Sequence, residues 1–339
     1  MSLWPDLSGF ARRSFNRSQV LSLLLDHLVW LILLLVLLVF SLGIDRFLQV
    51  GIFLNIVHHA AFVGLLAIGL SLTILAGHVD LSVESVMAFA AMLSAYLVAS
   101  RGAGLGLELD VWLTLLIALL FGGLVGLANG LLVVYLGISA FIATLASFIG
   151  VRGLGLVLTG GRSMYGLPDG FRQVTSGQVL GIPIPVLLLI ATYGLFHLAL
   201  KRTRSGRYVY LIGGNPTALF RAGVPVKRLL LWVFVLSGAL ASFAGWLLAG
   251  RTNGATPNLG TGMLFEAFAA VVIGGVSLSG GVGRLSGVFA GVLLLSAIDT
   301  AINVMGLPPH YMQVIRAGLV LLAVLLDSAK TRLRPRYYQ

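Results

Sequence analysis

The stretch LTILAGHVDLSVESV, residues 72–86, sets His78, Asp80, Ser82 and Glu84 between two long apolar runs. Carboxylates there could accept hydrogen bonds from backbone amides at a helix start, or from the hydroxyls of a passing solute. The placement is costly: an Asp at the centre of a membrane helix is disfavoured by about 2.5–3.5 kcal/mol on translocon-based scales. Asp80 is well placed to cap a helix beginning near Leu81, and both acids fall in its first turns. The helix dipole favours them there by only about 0.3–1 kcal/mol. Full burial is not offset by that amount, so the acids must be wet, paired or protonated. Two readings follow for Asp80 and Ser82: they satisfy free amides at a helix break, or they line or gate a polar path. Glu84, one turn further on, is less needed as a cap and is the better candidate for the path. Asn129, Glu266, Asp299 and Asn303 are further polar residues inside apolar segments, and the last two share a helix face at i, i+4. Intramembrane ionisable groups are functional candidates by default. His58 and His59 have no third ligand at useful spacing, so no metal site is expected.

The elements that hold these residues follow from composition. The chain has 339 residues, 58% hydrophobic and 10% charged, against about 25% charged in soluble domains. It is therefore expected to be an all-α, polytopic membrane bundle. With no cysteine, disulfides and thiolate metal sites are excluded. No His-Glu-x-x-His pair or nucleophile–base set supports an intramembrane enzyme. Ten apolar segments can be read, at about 21–42, 52–76, 82–100, 111–136, 138–159, 183–200, 229–250, 265–282, 286–305 and 312–328. Most approach the roughly 20 residues needed to span a bilayer. The first follows Arg12, Arg13 and Arg17 and lacks a small-residue cleavage site, which favours an uncleaved anchor over a signal peptide.

The formal charge of +11 is explained by topology. Basic residues cluster at Arg12, Arg13 and Arg17, at Lys201, Arg202, Arg204, Arg207, Arg221, Lys227 and Arg228, and at Lys330, Arg332, Arg334 and Arg336. An even number of segments separates successive clusters, so all three face the cytoplasm by the positive-inside rule. The opposite side carries sparse, mixed charge: Asp45, Arg46, Arg101, Glu108, Asp110, Arg162, Asp169 and Arg172. Nucleic-acid binding is excluded on this distribution. The expected organisation is a cytoplasmic segment over 1–20, one transmembrane domain over 21–328 with an inner loop at about 201–228, and a basic cytoplasmic tail over 329–339.

Three local patterns stand out. In GGNPTALFRAGVPVKR, residues 213–228, Asn215 suits an N-cap and Pro216 the first helical position, while Gly223 and Pro225 end the helix. The spacing predicts a helix over about 216–222 that exposes Leu219 and Phe220 beside Arg221. A helix this short is marginal in water, so it must pack on the membrane surface or on a partner. Second, GHVDLS at 77–82 resembles GGVSLS at 274–279, with four of six positions identical; this suggests an internal repeat. Leu278-Ser279-Gly280-Gly281 looks like the signature of ABC ATPases, but it lies between apolar runs and the chain lacks a phosphate loop. Third, Gly122, Gly126 and Gly130, and likewise Gly283, Gly287 and Gly291, recur at intervals of four. Each ladder makes a smooth helix face for close packing, within the chain or at a subunit interface.

Over about 50–330 the sequence resembles the permease subunit of bacterial ABC importers of the ribose/xylose/galactose type. The resemblance rests on NIVHHAAFVGLLAIGLSLTILAGHVDLSVESV, ISAFIATLASFIGVRGLGLVLTGG, RSGRYVYLIGGNPTALFRAGVPVKR and FEAFAAVVIGGVSLSGGVGRLSG, in that order. Glu84 stands where the family usually has Gly, His78 where a small or apolar residue is common, and Asp299 where Asn is common. The resemblance implies a bacterial inner-membrane protein, both termini cytoplasmic. Its partners would be cytoplasmic ABC ATPase subunits, which bind ATP and Mg, a periplasmic sugar-binding protein, and a second permease chain, as a homodimer or alternatively a heterodimer. The cargo would be a small sugar, and no cofactor would reside in this chain. It also implies that Asn215, Pro216, Leu219, Phe220, Arg221 and Gly223 form the helix that seats on the ATPase. Branched-chain amino acids, nucleosides or an autoinducer are alternative cargoes within the class. A proton-coupled carrier using Asp80, Glu84 and Asp299 is the reading outside it.

Overall fold

A computed structural model describes residues 27–45, 47–100, 104–308, 311, 313–315, 317–318, 321 and 324–325. Arg12, Arg13, Arg17, Arg46, Arg101, the tail cluster from Lys330 to Arg336 and most of the tenth apolar segment lie outside the described residues.

The described chain is a polytopic helical bundle. Its main helices are α1 (Leu28–Gly43), α2 (Val50–Leu75), α3 (Val83–Val98), α4 (Val111–Val134) and α5 (Ala140–Thr159). A short α6 (Asp169–Ser176) precedes α7 (Ile184–Arg202), α8 (Arg204–Gly214) and α9 (Pro216–Arg221). The chain continues through α10 (Val226–Arg251), α11 (Met263–Ile273) and α12 (Leu285–Val304). Two-residue strands make two small antiparallel pairs, Met164–Tyr165 with Gly254–Ala255 and Gln178–Val179 with Ile182–Pro183. Among the described residues six helices (α2, α4, α5, α7, α10 and α12) are long and apolar enough to cross a membrane, while α1, α3 and α11 are shorter apolar helices.

The eighth apolar segment departs from expectation. A helix to about residue 282 was expected, yet α11 stops at Ile273. Gly274 and Gly275, the latter at φ +88°, end it, because only glycine takes this left-handed turn without strain. At 1.5 Å per residue, its 11 residues reach about half the roughly 30 Å hydrocarbon core. With α3, it is a broken-helix element of the kind expected from the sequence.

Burial separates the helices into centre and rim. α2 is buried on every side from His59 to Leu75, wrapped by α7, α10, α11 and α12. α10 packs on α2, α3 and α4. By contrast α4 shows Trp112, Leu116, Leu120 and Leu124 outward, and α5 shows Phe141, Ile142, Ile149 and Val157. Apolar faces of this kind suit lipid.

The glycine ladders explain how the centre closes. A Cβ at Gly122 or Gly126 would strike the backbone of α10 at Gly238 or Phe234, and Gly130 faces Leu231. The first ladder is therefore an intrachain seam between α4 and α10. Gly287 and Gly291 press α12 onto the Gly274 and Ala270 carbonyls. Gly283 is a correction: it lies before α12, in a loop at φ +157° beside Val276, because the helix starts only at Leu285.

The proposed repeat has a local counterpart. The Gly77 and His78 amides donate to the Ile74 and Thr73 carbonyls, closing α2; those of Gly275 and Val276 donate to Val272 and Val271, closing α11. The Ser82 amide then donates to the Asp80 side chain at 3.0 Å and the Ser279 amide to the Ser277 hydroxyl at 3.4 Å. Both halves thus use the same helix stop followed by the same side-chain turn.

Candidate functional site

The polar residues fall into three groups along the bundle. The first is an inner knot around Asp80, which is 0% exposed. One of its carboxylate oxygens accepts from the Ser82 amide at 3.0 Å and the Ser82 hydroxyl at 2.6 Å. The other accepts from the Ser237 hydroxyl on α10 at 2.8 Å. Asn129 of α4 donates its amide to the Ser82 hydroxyl at 3.0 Å, and the Ser147 hydroxyl of α5 donates to the Asn129 carbonyl oxygen. The network therefore ties α10, the α2–α3 break, α4 and α5 together. Such a satisfied buried network rigidifies and specifies one packing. His78 stands aside, half-buried against the Phe234 ring at 5.9 Å.

The second group centres on Glu84, which is 3% exposed. It does not cap its own helix. One oxygen accepts from the Arg152 guanidinium on α5 at 2.7 Å. The other accepts from the Gly262 and Leu264 amides at 3.0 and 3.1 Å, capping α11 from across the bundle. Arg152 also donates to the Pro257 carbonyl at 3.0 Å and lies over the Phe148 ring at 5.5 Å. The carboxylate is thus paired rather than wet, and it fastens α3, α5 and the start of α11. A negative charge at a helix N-terminus is also where the dipole favours it.

The third group is an outer cluster. His59 of α2 lies between two acids, with Nε2 3.7 Å from Glu266 of α11 and Nδ1 3.8 Å from Asp299 of α12. Asn303 donates to Asp299 at 3.4 Å and is exposed. Arg251, at the end of α10, lies over the Phe62 ring at 5.3 Å. These contacts are long, and the cluster opens to the surface at Asn303. Sequence spacing joined Asp299 to Asn303; His59 reaches Asp299 only through packing. Likewise Ser147 and Ser237 gave no sequence signal as partners of the knot. Arg152 did offer one, as the lone cation in an apolar segment.

The loop at about 201–228 forms the short helix expected of it. The Asn215 side chain accepts from the Ala218 amide at 2.9 Å, Pro216 opens α9, and Gly223 turns the chain at φ +78°. The helix ends at Arg221, one residue earlier than expected. Leu219 is a correction: it is 9% exposed and belongs to the main core, leaving Phe220, at 69%, and Arg221 on the surface. Successive helical residues point about 100° apart, so with Phe220 and Arg221 both facing outward, Leu219 is turned inward onto the core.

Behind α9 lies a junction of three backbones. The Gly281 amide donates to the Leu75 carbonyl at 2.9 Å. A Cβ on Gly213 would strike that carbonyl and the Gly281 amide, and one on Gly280 would lie 3.0 Å from the Cα atoms of Gly213 and Gly77. The Leu-Ser-Gly-Gly tetrapeptide is therefore a turn wedged between the end of α8 and the α2–α3 break. It links the exposed helix to both halves of the repeat.

Residues 52–325 match the family described as Branched-chain amino acid transport system / permease component. The chain is 33% identical over 314 residues to the Ribose import permease protein RbsC of Haemophilus influenzae, covering 91% of this chain and 95% of that relative. It is 35% identical to the L-arabinose ABC transporter permease protein AraH of Azospirillum brasilense, covering 87% and 85%. It is 33% identical to the D-allose transport system permease protein AlsC of Escherichia coli, covering 85% and 86%. No solved structure matches the chain.

Proposed function

The chain belongs to the Branched-chain amino acid transport system / permease component family, and on that premise we propose that it is the transmembrane permease subunit of an ATP-driven monosaccharide importer. The sugar reading rests on relatives named for ribose, arabinose and allose. ATP hydrolysis belongs to a separate partner. In this reading cytoplasmic ATPase subunits seat on α9, a periplasmic binding protein delivers the sugar, and a second permease copy completes the path, as a homodimer or alternatively a heterodimer. Both termini and the inner loop face the cytoplasm, in line with the basic cluster from Lys201 to Arg228.

The observation that carries the mechanism is the exposed Phe220 on a capped helix backed by the glycine junction. Closure of the ATPases pushes on Phe220. α9 passes the displacement through Gly213 to the Leu75 carbonyl and the Gly280–Gly281 turn. The ends of α2 and α11 then move together, because both halves meet at that turn. The fastened inner groups move as rigid pieces, while the outer cluster changes its contacts. Asn303 and the partly exposed Asp299 offer a donor and acceptors to sugar hydroxyls at its open edge, with His59 and Glu266 buried behind them.

Uptake by the full complex tests this. Phe220→Asp should leave membrane abundance unchanged, since exposed substitutions shift stability by about 0.5 kcal/mol or less, and should abolish coupled uptake. Unchanged uptake in that variant removes α9 as the contact. Transport by the lone chain under a pH gradient would instead support the proton-coupled reading. The family description keeps a branched-chain amino acid as the second cargo; competition of uptake by leucine rather than by pentoses would favour it. Reporter fusions should place Gly213 inside and Asp169 outside.

A further inference from the structure

A cleft of about 280 Å³ opens between α7, α8 and α12 and is lined by His197, Leu200, Lys201, Tyr210, Arg284, Leu285 and Ser286. It holds two cations, an imidazole, a phenol and a hydroxyl, and among the described residues no carboxylate lines it. Lys201 makes no ion pair among the described residues. The cleft shares no lining residue with the polar groups described above, and the loop from Lys201 to Arg228 contains no acid.

Its layering identifies the ligand class. Tyr193 of α7 and Phe289 of α12 stack edge to face at 4.9 Å. One turn along α7 lies His197, and the next turn brings Lys201; along α12 the chain runs back from Phe289 to Ser286 and Arg284. Apolar aromatic contact thus gives way to polar groups and then to two cations. The same sequence of environments is met on passing from the hydrocarbon through the interface to the headgroups. We infer that this cleft binds a phosphate-ester anion, supplied by the headgroup of an anionic phospholipid of the cytoplasmic leaflet. Basic pockets between helices on that side suit such headgroups. The lipid phosphate would bridge Lys201 and Arg284, with Tyr210 and Ser286 as hydroxyl donors, at the base of the helices that carry α8 and the Gly280–Gly281 turn.

The assignment rests on the orientation proposed above, and its test reads mass rather than transport. The full chain, purified with its ATPase partner, is titrated with phosphatidylglycerol, phosphatidylethanolamine, sn-glycerol 3-phosphate or inorganic phosphate and followed by native mass spectrometry. The expected result is one retained phosphatidylglycerol, preferred over phosphatidylethanolamine and not displaced by the soluble phosphates. At about 1 kcal/mol per cation near a membrane surface, Lys201→Gln and Arg284→Gln should each weaken retention about fivefold, and the pair about thirtyfold. Arg204→Gln, an equal charge loss at a residue that does not line the cleft, should leave it unchanged. Displacement by millimolar soluble phosphate overturns the lipid source. Equal weakening by Arg204→Gln, or no headgroup preference, overturns the site. Retention by the isolated permease that disappears on ATPase docking makes the cleft a partner surface and overturns the proposal. Loss of sugar uptake specificity in the same preparation, with selective retention intact, would count against the transport reading alone.

Discussion

The inner knot and the outer cluster use similar side chains in opposite ways. At Asp80 three donors reach one carboxylate within 3.0 Å, in complete burial. At His59 the approaches to two acids are 3.7 and 3.8 Å, and the neighbouring Asn303 is exposed. A satisfied buried network resists change, because every broken bond leaves a polar group with no water to replace its partner. A loose cluster with an open edge exchanges partners at low cost. The difference suggests that the knot holds the helix break in one form, while the outer cluster is where a polar solute can be met. Glu84 belongs with the knot in this comparison, though its sequence position favoured the path.

The comparison breaks or sharpens in order of expected effect. Asp80→Ala should be the most damaging, since it strands the Ser82 amide and the Ser82 and Ser237 hydroxyls. Each unsatisfied buried donor costs about 1–3 kcal/mol, so membrane abundance should fall severely; quantitative blotting checks it. Normal abundance would mean that the knot is not structural. Arg152→Ala comes next. It leaves Glu84 buried without its guanidinium, and breaking a buried pair from one side typically costs about 3–5 kcal/mol. Reduced thermal stability of the purified chain is expected, with a smaller loss in Arg152→Lys, which keeps the charge but not the fork of donors.

The outer cluster should respond differently. Asp299→Asn removes one of the two acids beside His59 while keeping the shape. Its stability effect should be smaller than that of Arg152→Ala, because the amide keeps the shape of the acid at a side chain that retains some exposure, yet sugar uptake should change several-fold. Abundance loss as large as in Asp80→Ala would erase the distinction between the two regions. Asn303→Ala should be smallest in stability, within about 0.5 kcal/mol for an exposed side chain. Its effect is read as a change in apparent KM for the sugar at unaltered expression. No change across several pentoses and hexoses would remove Asn303 from the path.

Much of this arrangement could be read before any coordinates. Apolar run lengths placed α2, α4, α5, α7, α10 and α12 to within a few residues, because bilayer thickness imposes a length on each run. Asn215, Pro216 and Gly223 placed α9, because capping is local chemistry within one turn. The early end of α11 was written in Gly274-Gly275, the glycines that interrupt the eighth apolar segment, although apolar residues carry the run on to about 282. Leu219 was misjudged because exposure depends on where α8 and α10 run, and six residues carry no amphipathic period long enough to reveal it.

What sequence alone determined is what adjacent residues decide: membrane class, the capped and glycine-ended turns such as those around α9, and the basic clusters. Only the tertiary structure decided who meets whom. Glu84 finds Arg152 and the Gly262 amide, Asp80 finds Ser237, and His59 finds Glu266 and Asp299. Gly213 finds Leu75 and Gly281. The physical reason is range. Capping, glycine turns and hydropathy act over a few residues, whereas a buried charge takes its partner from whichever helix packing brings within hydrogen-bond reach. Whether such a charge is a fastening or an open contact is settled by that distance and by the water left around it.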